Sequence, residues 1–282
     1  MWSSPRQVKD FGGQYDMMNS STPEPLITLS SDFGTCDGYA GAMKGVIRSV
    51  APDVRLEDIT HEIPPGDIRS CAWVLRTAVP FFPRGTVHVV VVDPGVGTAR
   101  NAILLQADSH YLIGPDNGVF SWVIREAEAC RAWKLSDDSW HPEQSSHTFH
   151  GRDLFAHAAA LLAQEGELAR VCGEEVVPYC GTWAHSVAVA PGAEGEVVHV
   201  DHFGNVVTNL FLQEANSELP EPLKVSTREL SFEHLSQTYG DVEEGKALLL
   251  VGSHGFLEIA VRQGSAAEGY TLKTGDRVRV GE

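Results

Sequence analysis

The sequence predicts an α/β domain followed by a small antiparallel β domain, and three observations carry that expectation. Residues 86–92, Thr-Val-His-Val-Val-Val-Val, are β-branched and almost unbroken in apolarity. That is the pattern of a strand buried on both faces, as in a parallel sheet. Strand-like and helix-like stretches alternate through residues 26–172, which is the order of an α/β fold. After residue 172 the texture changes to short apolar runs between turns, with almost no helical periodicity.

The elements follow in order. Residues 26–30 form a short apolar strand, stopped by Ser31-Asp32-Phe33-Gly34. Tyr39, Ala42, Met43, Val46, Ile47 and Val50 then recur at helical spacing, and Pro52 marks the end. Residues 54–59 read as a second strand. Pro64-Pro65-Gly66 breaks the chain, and Asp67 is placed to cap a helix carrying Ile68, Cys71, Ala72, Leu75 and Val79. Beyond strand 86–92, residues 102–106 and 111–113 flank Ala107-Asp108-Ser109-His110 as a hairpin. Two further helices are expected over 119–129 and 153–164. The first domain thus spans 26–172, with a Rossmann-like, mainly parallel sheet. Residues 173–194, rich in Gly, Pro and Val, are the linker. Strands are expected over 195–200, 206–212, 223–225, 247–251, 256–261 and 277–280, a small barrel or sandwich filling 195–282. Residues 1–25 are polar and read as a loose tail without the apolar stretch of a signal peptide.

Composition narrows the class. The 282 residues are 43% hydrophobic and 21% charged, enough for two cored domains and incompatible with disorder of the whole chain. A formal net charge of −17 argues against nucleic acid as a partner, because phosphate binding needs clustered Lys and Arg. The five cysteines are widely spaced with no CxxC, which points to small apolar side chains in a reducing, cytoplasmic setting rather than to a disulfide framework or zinc knuckle. No apolar run approaches the roughly 18 residues of a membrane span.

Four segments concentrate polar chemistry. Ser30-Ser31-Asp32-Phe33-Gly34-Thr35-Cys36-Asp37-Gly38 lies at the carboxyl end of the first strand, the edge where open α/β sheets bind ligands. It lacks the phosphate-binding glycine patterns. Asp32 and Asp37 suit a sugar diol or a cation such as an ammonium or sulfonium; otherwise Asp32 ends the strand and Asp37 caps the helix. Asp93-Pro94-Gly95-Val96-Gly97-Thr98-Ala99-Arg100 puts an acid at the end of a buried strand and an Arg behind a tight turn, as a working pair or a structural ion pair. His147-Thr148-Phe149-His150-Gly151-Arg152-Asp153 leads into a helix. Its His-x-x-His lacks a third metal ligand, so His150 reads instead as a hydrogen-bonding group beside a helix N-terminus. In the β domain, Asp201-His202-Phe203-Gly204-Asn205 and Gly252-Ser253-His254-Gly255-Phe256-Leu257-Glu258 place polar side chains at glycine bends, which otherwise are hairpin turns. There is no GxSxG elbow for a Ser-His-Asp nucleophile.

Taken together, seven blocks in order resemble the S-adenosylmethionine (SAM) hydroxide adenosyltransferases, relatives of the fluorinases and chlorinases. They are SSDFGTCDGYAGAMKGVI, ITHEIPPGDIRSCAWVL, VVDPGVGTAR, IGPDNGVFS, TFHGRDLFA, DHFGNVVTN, and VGSHGFLEIAVRQGSAA followed by GDRVRV. The resemblance implies a C-terminal β barrel, and a homotrimer whose sites lie between one subunit's first domain and a neighbour's second. It implies hydrolysis of SAM to adenosine and methionine, with SAM as substrate and no cofactor or metal. By motif, the catalytic set falls on Asp93, Arg100 and His150, and the ribose-binding acid on Asp32. Asp37 falls at the methionine part; Asp201, Phe203, Asn205 and Ser253 at methionyl or adenosyl contacts; and Tyr239 at an aromatic near adenine. Arg262 stands where Asn is expected, and His254 occupies a variable position. Halogenating relatives lack the Asp-Arg-His set, and the fluorinases carry a loop for which residues 99–117 leave no room. Halide transfer is the alternative enzyme reading, and a non-catalytic SAM or adenosine sensor the alternative of another class.

Overall fold

The computed structural model describes residues 25–136, 146–212 and 224–281. The tail expected over residues 1–25 lies outside them except for Pro25, as does Leu223 of the expected strand 223–225. Contacts divide the chain into two compact units, one ending at Ala184 and the other beginning at His185.

The first unit is built on a seven-stranded sheet. Its strands are β1 (Leu26–Ser31), β2 (Arg55–Thr60), β3 (Val87–Val91), β4 (Ala102–Ala107), β5 (His110–Pro115), β6 (Cys130–Leu135) and β7 (Cys172–Val176), ordered β2-β1-β3-β5-β4-β6-β7. The sheet is mixed. Strands β2, β1, β3 and β5 run parallel, whereas β4, β6 and β7 are antiparallel. The β4–β5 hairpin turns through Asp108-Ser109 and fills the stretch 99–117, reversing the direction beyond it. Every residue of β3 is buried, as a strand covered on both faces must be.

Helices close both faces. On one, α1 (Tyr39–Val50) and α4 (Ala156–Glu165) pack through Met43, Ile47, Ala156, Ala159 and Ala160 on Ile27, Leu29, Val89 and Val91. On the other, α2 (Ile68–Ala78) and α3 (Ser121–Glu126) cover Val90, Val92, Ile103 and Leu105 with Cys71, Leu75 and Phe120. Asp67 caps α2 as expected, accepting from the Ser70 N–H at 3.0 Å. The second face carries a polar seam in which the buried His88 meets Thr28 Oγ1 at 2.7 Å and His110 at 3.3 Å. Burial, with His110 beside it, pushes His88 down to about 3, so the ring is a neutral hydrogen-bonding filler.

Three local expectations change. The helix expected over 119–129 stops at Glu126, because the open edge of β4 recruits Cys130–Leu135 as an antiparallel partner and draws the chain out. The helix expected over 153–164 begins as a π-helical turn over Gly151–Phe155 before α4. The sheet runs past residue 172, since Cys172–Val176 pairs with β6 inside the stretch read as linker.

The second unit is an eight-stranded, mostly antiparallel, barrel-like sheet. Its strands are β8 (Val187–Ala188), β9 (Glu194–Val200), β10 (Val206–Phe211), β11 (Lys224–Thr227), β12 (Leu230–Phe232), β13 (Ala247–Val251), β14 (Phe256–Val261) and β15 (Arg277–Gly281), ordered β12-β11-β15-β9-β10-β14-β13 with β8 on β10. Ser236, just past β12, bridges Leu250 of β13 and so brings the two ends of the sheet together. Val197, Val206, Leu210, Leu249, Leu257 and Ile259 form its core. One short helix, α5 (Ala266–Gly269), is capped by Ser265. Among the described residues no helix is long and apolar enough to cross a membrane.

Candidate active site

The chain leaves β1, runs through α1 to β2 on one side, then crosses through α2 to β3 on the other. That reversal opens a crevice at the carboxyl ends of β1 and β3. Ser31 of β1 is level with Val91 of β3, so the residues that follow, Asp32 and Val92-Asp93, emerge side by side. A cavity of about 340 Å³ lies there, walled by Asp32, Phe33, Gly66, Asp93, Phe149 and His150 among others.

Asp93 is the first acid beyond the buried strand. A turn closed by Val96 N–H on its carbonyl brings Arg100 back over it. Arg100 Nε sits 3.0 Å from both carboxylate oxygens, and Nη2 also bonds Oδ2. The same Nη2 lies 2.7 Å from His150 Nδ1. A guanidinium can only donate, so Nδ1 is the acceptor and the proton of the neutral ring is on Nε2. Burial, then the adjoining Arg100 charge, lower the His150 pKa against the opposing pull of Asp93. Phe155 lies beneath the pair, its ring 5.5 Å from the Arg100 guanidinium carbon and edge-on to His150.

The π-helical turn explains how His150 reaches this place. Gly151 packs directly on β3: a Cβ there would lie 3.0 Å from Val91 Cγ1 and 3.3 Å from Met43 sulfur. Any larger residue would have to push Val91 and Met43 back by a few tenths of an ångström, so glycine lets the start of that turn lie against the end of the strand, and His150 comes with it. Asp153 fastens the segment by accepting from Ser146 N–H and from Arg152.

Asp32 accepts a 2.8 Å bond from Gly66 N–H, which ties the first loop to the Pro64-Pro65-Gly66 break. The loop is also tied from below, by Ser31 Oγ to His61 Nδ1 at 2.7 Å and by Gly34 N–H to the His61 carbonyl. Asp37 is exposed and does not wall the cavity. It is not the cap of α1 either, since that position is Gly38 and no side chain bonds there. Phe33, Tyr39 and Phe149 form an aromatic trio with centroids 5.3–5.7 Å apart. The sequence assigned these rings no role, although all three lie inside the seven blocks; an aromatic within two residues of Asp32, Asp37 and His150 was the available signal. Among the described residues no group of three or more His, Cys, Asp or Glu is arranged to hold a metal.

In the second unit, Asp201 organises its own turn. It accepts from the backbone N–H groups of Phe203 and Asn205 and from Asn205 Nδ2 at 2.8–2.9 Å, which leaves the Phe203 ring 74% exposed. Ser253 is exposed in the β13–β14 turn. Tyr239, 47% exposed, heads a short 3₁₀ turn closed by a reciprocal Thr238–Asp241 capping box. Arg262, the departure from Asn, grips that turn from outside by donating to the carbonyls of Val242 at 2.7 Å and Gly240 at 3.4 Å.

Known proteins show the same organisation. Residues 27–172 match the SAM hydroxide adenosyltransferase N-terminal domain and residues 195–279 the C-terminal domain. An (R)-S-adenosyl-L-methionine hydrolase of Salinispora tropica is 42% identical over 92% of this chain and 98% of its own. One of Thermus thermophilus is 38% identical over 89% and 97%. A fluorinase of Nocardia brasiliensis is 30% identical over 94% and 99%. The crystal structure of an uncharacterised conserved protein from Thermotoga maritima superposes with a TM-score of 0.81 at 34% identity, covering 91% of this chain and all of that one. With both of its domains matched, the chain belongs to the SAM hydroxide adenosyltransferase family.

Proposed function

We propose that this chain hydrolyses S-adenosyl-L-methionine to adenosine and L-methionine, by attack of water or hydroxide on the ribose 5′ carbon. The observation that carries the proposal is Arg100 held between Asp93 and His150, both of which wall the switch-point cavity. SAM is a sulfonium, so its methionine leaves as a neutral thioether without acid assistance. The balance is SAM cation plus water giving adenosine, methionine and one proton. What the protein must supply is an oxygen nucleophile, in line with the sulfur and largely stripped of water. The Arg100 charge and the His150 Nε2–H are the groups that would hold it, and Asp93 fixes Arg100. Asp32 would take the ribose diol, and the trio Phe33, Tyr39 and Phe149 offers ring faces to a sulfonium. Asp37, Asp201, Phe203, Asn205, Tyr239 and Ser253 belong to the same reading by motif, as grips on the methionyl and adenosyl ends. No step calls for a metal or cofactor. A reducing, cytoplasmic setting belongs to the proposal through the odd number and wide spacing of the five cysteines, with no CxxC.

The direct experiment is chromatography of the products from purified protein and SAM. Adenosine and methionine in equal amounts, at a rate unchanged by a chelator, are expected. S-adenosylhomocysteine, or a 5′-halo-nucleoside as main product in chloride, would overturn the hydrolase reading, the latter in favour of halide transfer.

Asp93→Ala, Arg100→Ala and His150→Ala should each lower kcat by about 10²–10³, the loss of one charge-assisted contact worth about 2–4 kcal/mol to an anionic oxygen. Their effects should not add, because a nucleophile no longer held cannot be lost twice. Asp32→Ala should instead raise KM, since the diol is gripped equally in ground and transition states. Steady-state kinetics on the four variants decide; near-normal kcat in His150→Ala would return His150 to a structural role.

The pH profile has a fixed sign. His150 titrates below the ordinary 6.5, and its Nδ1 accepts from Arg100 only while unprotonated. Turnover should therefore stay level from pH 8 down past 6.5 and fall only below it, as an imidazolium forms against the guanidinium. An acid limb centred above pH 7 contradicts this assignment.

The homotrimer, with sites shared between subunits, belongs to the proposal through the family resemblance alone. Light scattering should give three times the chain mass of 30.6 kDa; a fully active monomer would rule out a shared site.

A further inference from the structure

Between β13 and β14 the chain makes the turn Gly252-Ser253-His254-Gly255, and three residues later β14 carries Glu258. Its neighbours Leu257 and Ile259 point into the barrel core. The alternation of a strand therefore turns Glu258 to the other face. It is nevertheless only 4% exposed, and a buried carboxylate is costly unless its oxygens are satisfied.

They are satisfied by two side chains, one from the proposed grip Tyr239 and the other from His254, the neighbour of the proposed grip Ser253. The Tyr239 hydroxyl donates to Oε1 at 2.7 Å, and His254 Nε2 lies 3.2 Å from Oε2. The direction of the second bond follows from the ring's other nitrogen. Phe256 N–H donates to His254 Nδ1 at 3.3 Å, so the neutral ring carries its proton on Nε2 and gives it to Glu258. The backbone is shaped for this contact. A Cβ on Gly252 would lie 2.4 Å from His254 Nε2 and 2.8 Å from Glu258 Oε2, so only glycine leaves room for the imidazole to lie against the carboxylate. Burial raises the Glu258 pKa, but the bonds from His254 and Tyr239 outweigh it and keep the group below its ordinary value. The Tyr239 phenol is pushed up to about 12 by burial and by the Glu258 carboxylate, with Asp201 adding its charge.

We infer that Glu258 is a positioning residue for substrate binding: one carboxylate sets both the Tyr239 ring and the His254 side of the turn that presents Ser253. Two further constraints converge on the same ring, namely the capping box of its own turn and the Arg262 grip on the carbonyls of Gly240 and Val242. Tyr239 and Ser253 thus present a fixed pair of contacts before any ligand arrives. Pre-organisation of this kind lowers the ordering cost of binding and leaves the reacting atoms untouched. The inference rests on the proposed assignment of Tyr239 and Ser253 to the adenosyl and methionyl ends of SAM.

The test is steady-state kinetics with SAM on the full-length protein carrying Glu258→Gln, Tyr239→Phe and both changes together. Glu258→Gln keeps the shape but cannot accept from both partners, and Tyr239→Phe removes only the hydroxyl. KM should rise about tenfold in Glu258→Gln, the scale of a hydrogen bond to a charged group, with kcat falling no more than about threefold. Tyr239→Phe should show the same split to a smaller degree. The double variant should be no worse than Glu258→Gln, because the two changes cut one tether. Should Glu258→Gln fail to give a cooperative thermal melt, Tyr239→Phe carries the comparison, since it disturbs no packing. Unchanged KM in both single variants, or a loss confined to kcat, overturns the inference while wild-type turnover leaves the hydrolase reading standing. A wild type that does not consume SAM removes both.

Discussion

The grip of Asp93 on Arg100 is the contact on which the first unit's chemistry depends. A buried ion pair is weak support for stability, because desolvation of both charges offsets their attraction. This one lies just past the end of a strand buried at every residue, with the two side chains only 5% and 10% exposed. The pair is better understood through what it does to a third residue. Once Asp93 occupies one side of the guanidinium, the remaining Nη2 proton is directed at His150 Nδ1, which selects the tautomer of that ring. Phe155, fully buried beneath both, removes the freedom either would have to swing away.

The fold places this cluster by ordinary rules. Parallel strands β1 and β3 end level with each other, and the chain reverses its direction of winding between them, so two loops separate and leave a crevice. The first loop is tied by Gly66 and His61, the second by the Asp93–Arg100 pair, and the third by Gly151 lying flat on Val91. A π-helical turn, uncommon and frequent at functional sites, begins where His150 must face Arg100 rather than the helix axis. Asp32, Asp93, Arg100 and His150 each lie within two residues of a regular element, before or after it, and inherit its rigidity.

Much of this was legible in the sequence, and the boundary is physical. Strand 86–92, the Asp67 cap and the four polar segments were readable because each depends on residues adjacent in the chain. The joining of Asp93 to Arg100 was readable for the same reason. Strand β6 was not: Arg131 and Lys134 give Cys130–Leu135 no clean alternation, and its conformation comes from the free edge of β4. The Asp37 cap did not form because the helix starts one residue later than the Asp37 reading requires, with Gly38 in the cap position. The tether among Tyr239, His254 and Glu258 was invisible for a related reason. Its members are spread over a 3₁₀ turn, a hairpin turn and a strand, and the pairing of β13 with β14, with the Ser236–Leu250 bridge, brings those segments together.

A common device runs through both units. Asp32, Asp93, Asp153, Asp201 and Glu258 all accept bonds from neighbouring donors, and through those bonds each fixes a loop or a side chain. In an acidic protein of net charge −17, this resolves a conflict that the proposed chemistry creates. A sulfonium substrate is attracted by carboxylates, whereas an anionic oxygen nucleophile is repelled by them. Asp93, the acid nearest the nucleophile's expected place, is covered by the Arg100 guanidinium, so the group presented beside His150 is cationic. Asp32, on the same cavity wall, is bonded only by a neutral backbone N–H among its described hydrogen bonds and keeps its charge available to a cation or a diol. On the proposed reading, the Asp32 carboxylate and the Arg100 guanidinium, the latter held between the lining residues Asp93 and His150, offer opposite signs to the two reactants. A reaction between a cation and an anion needs that separation in order to hold both reactants without neutralising either.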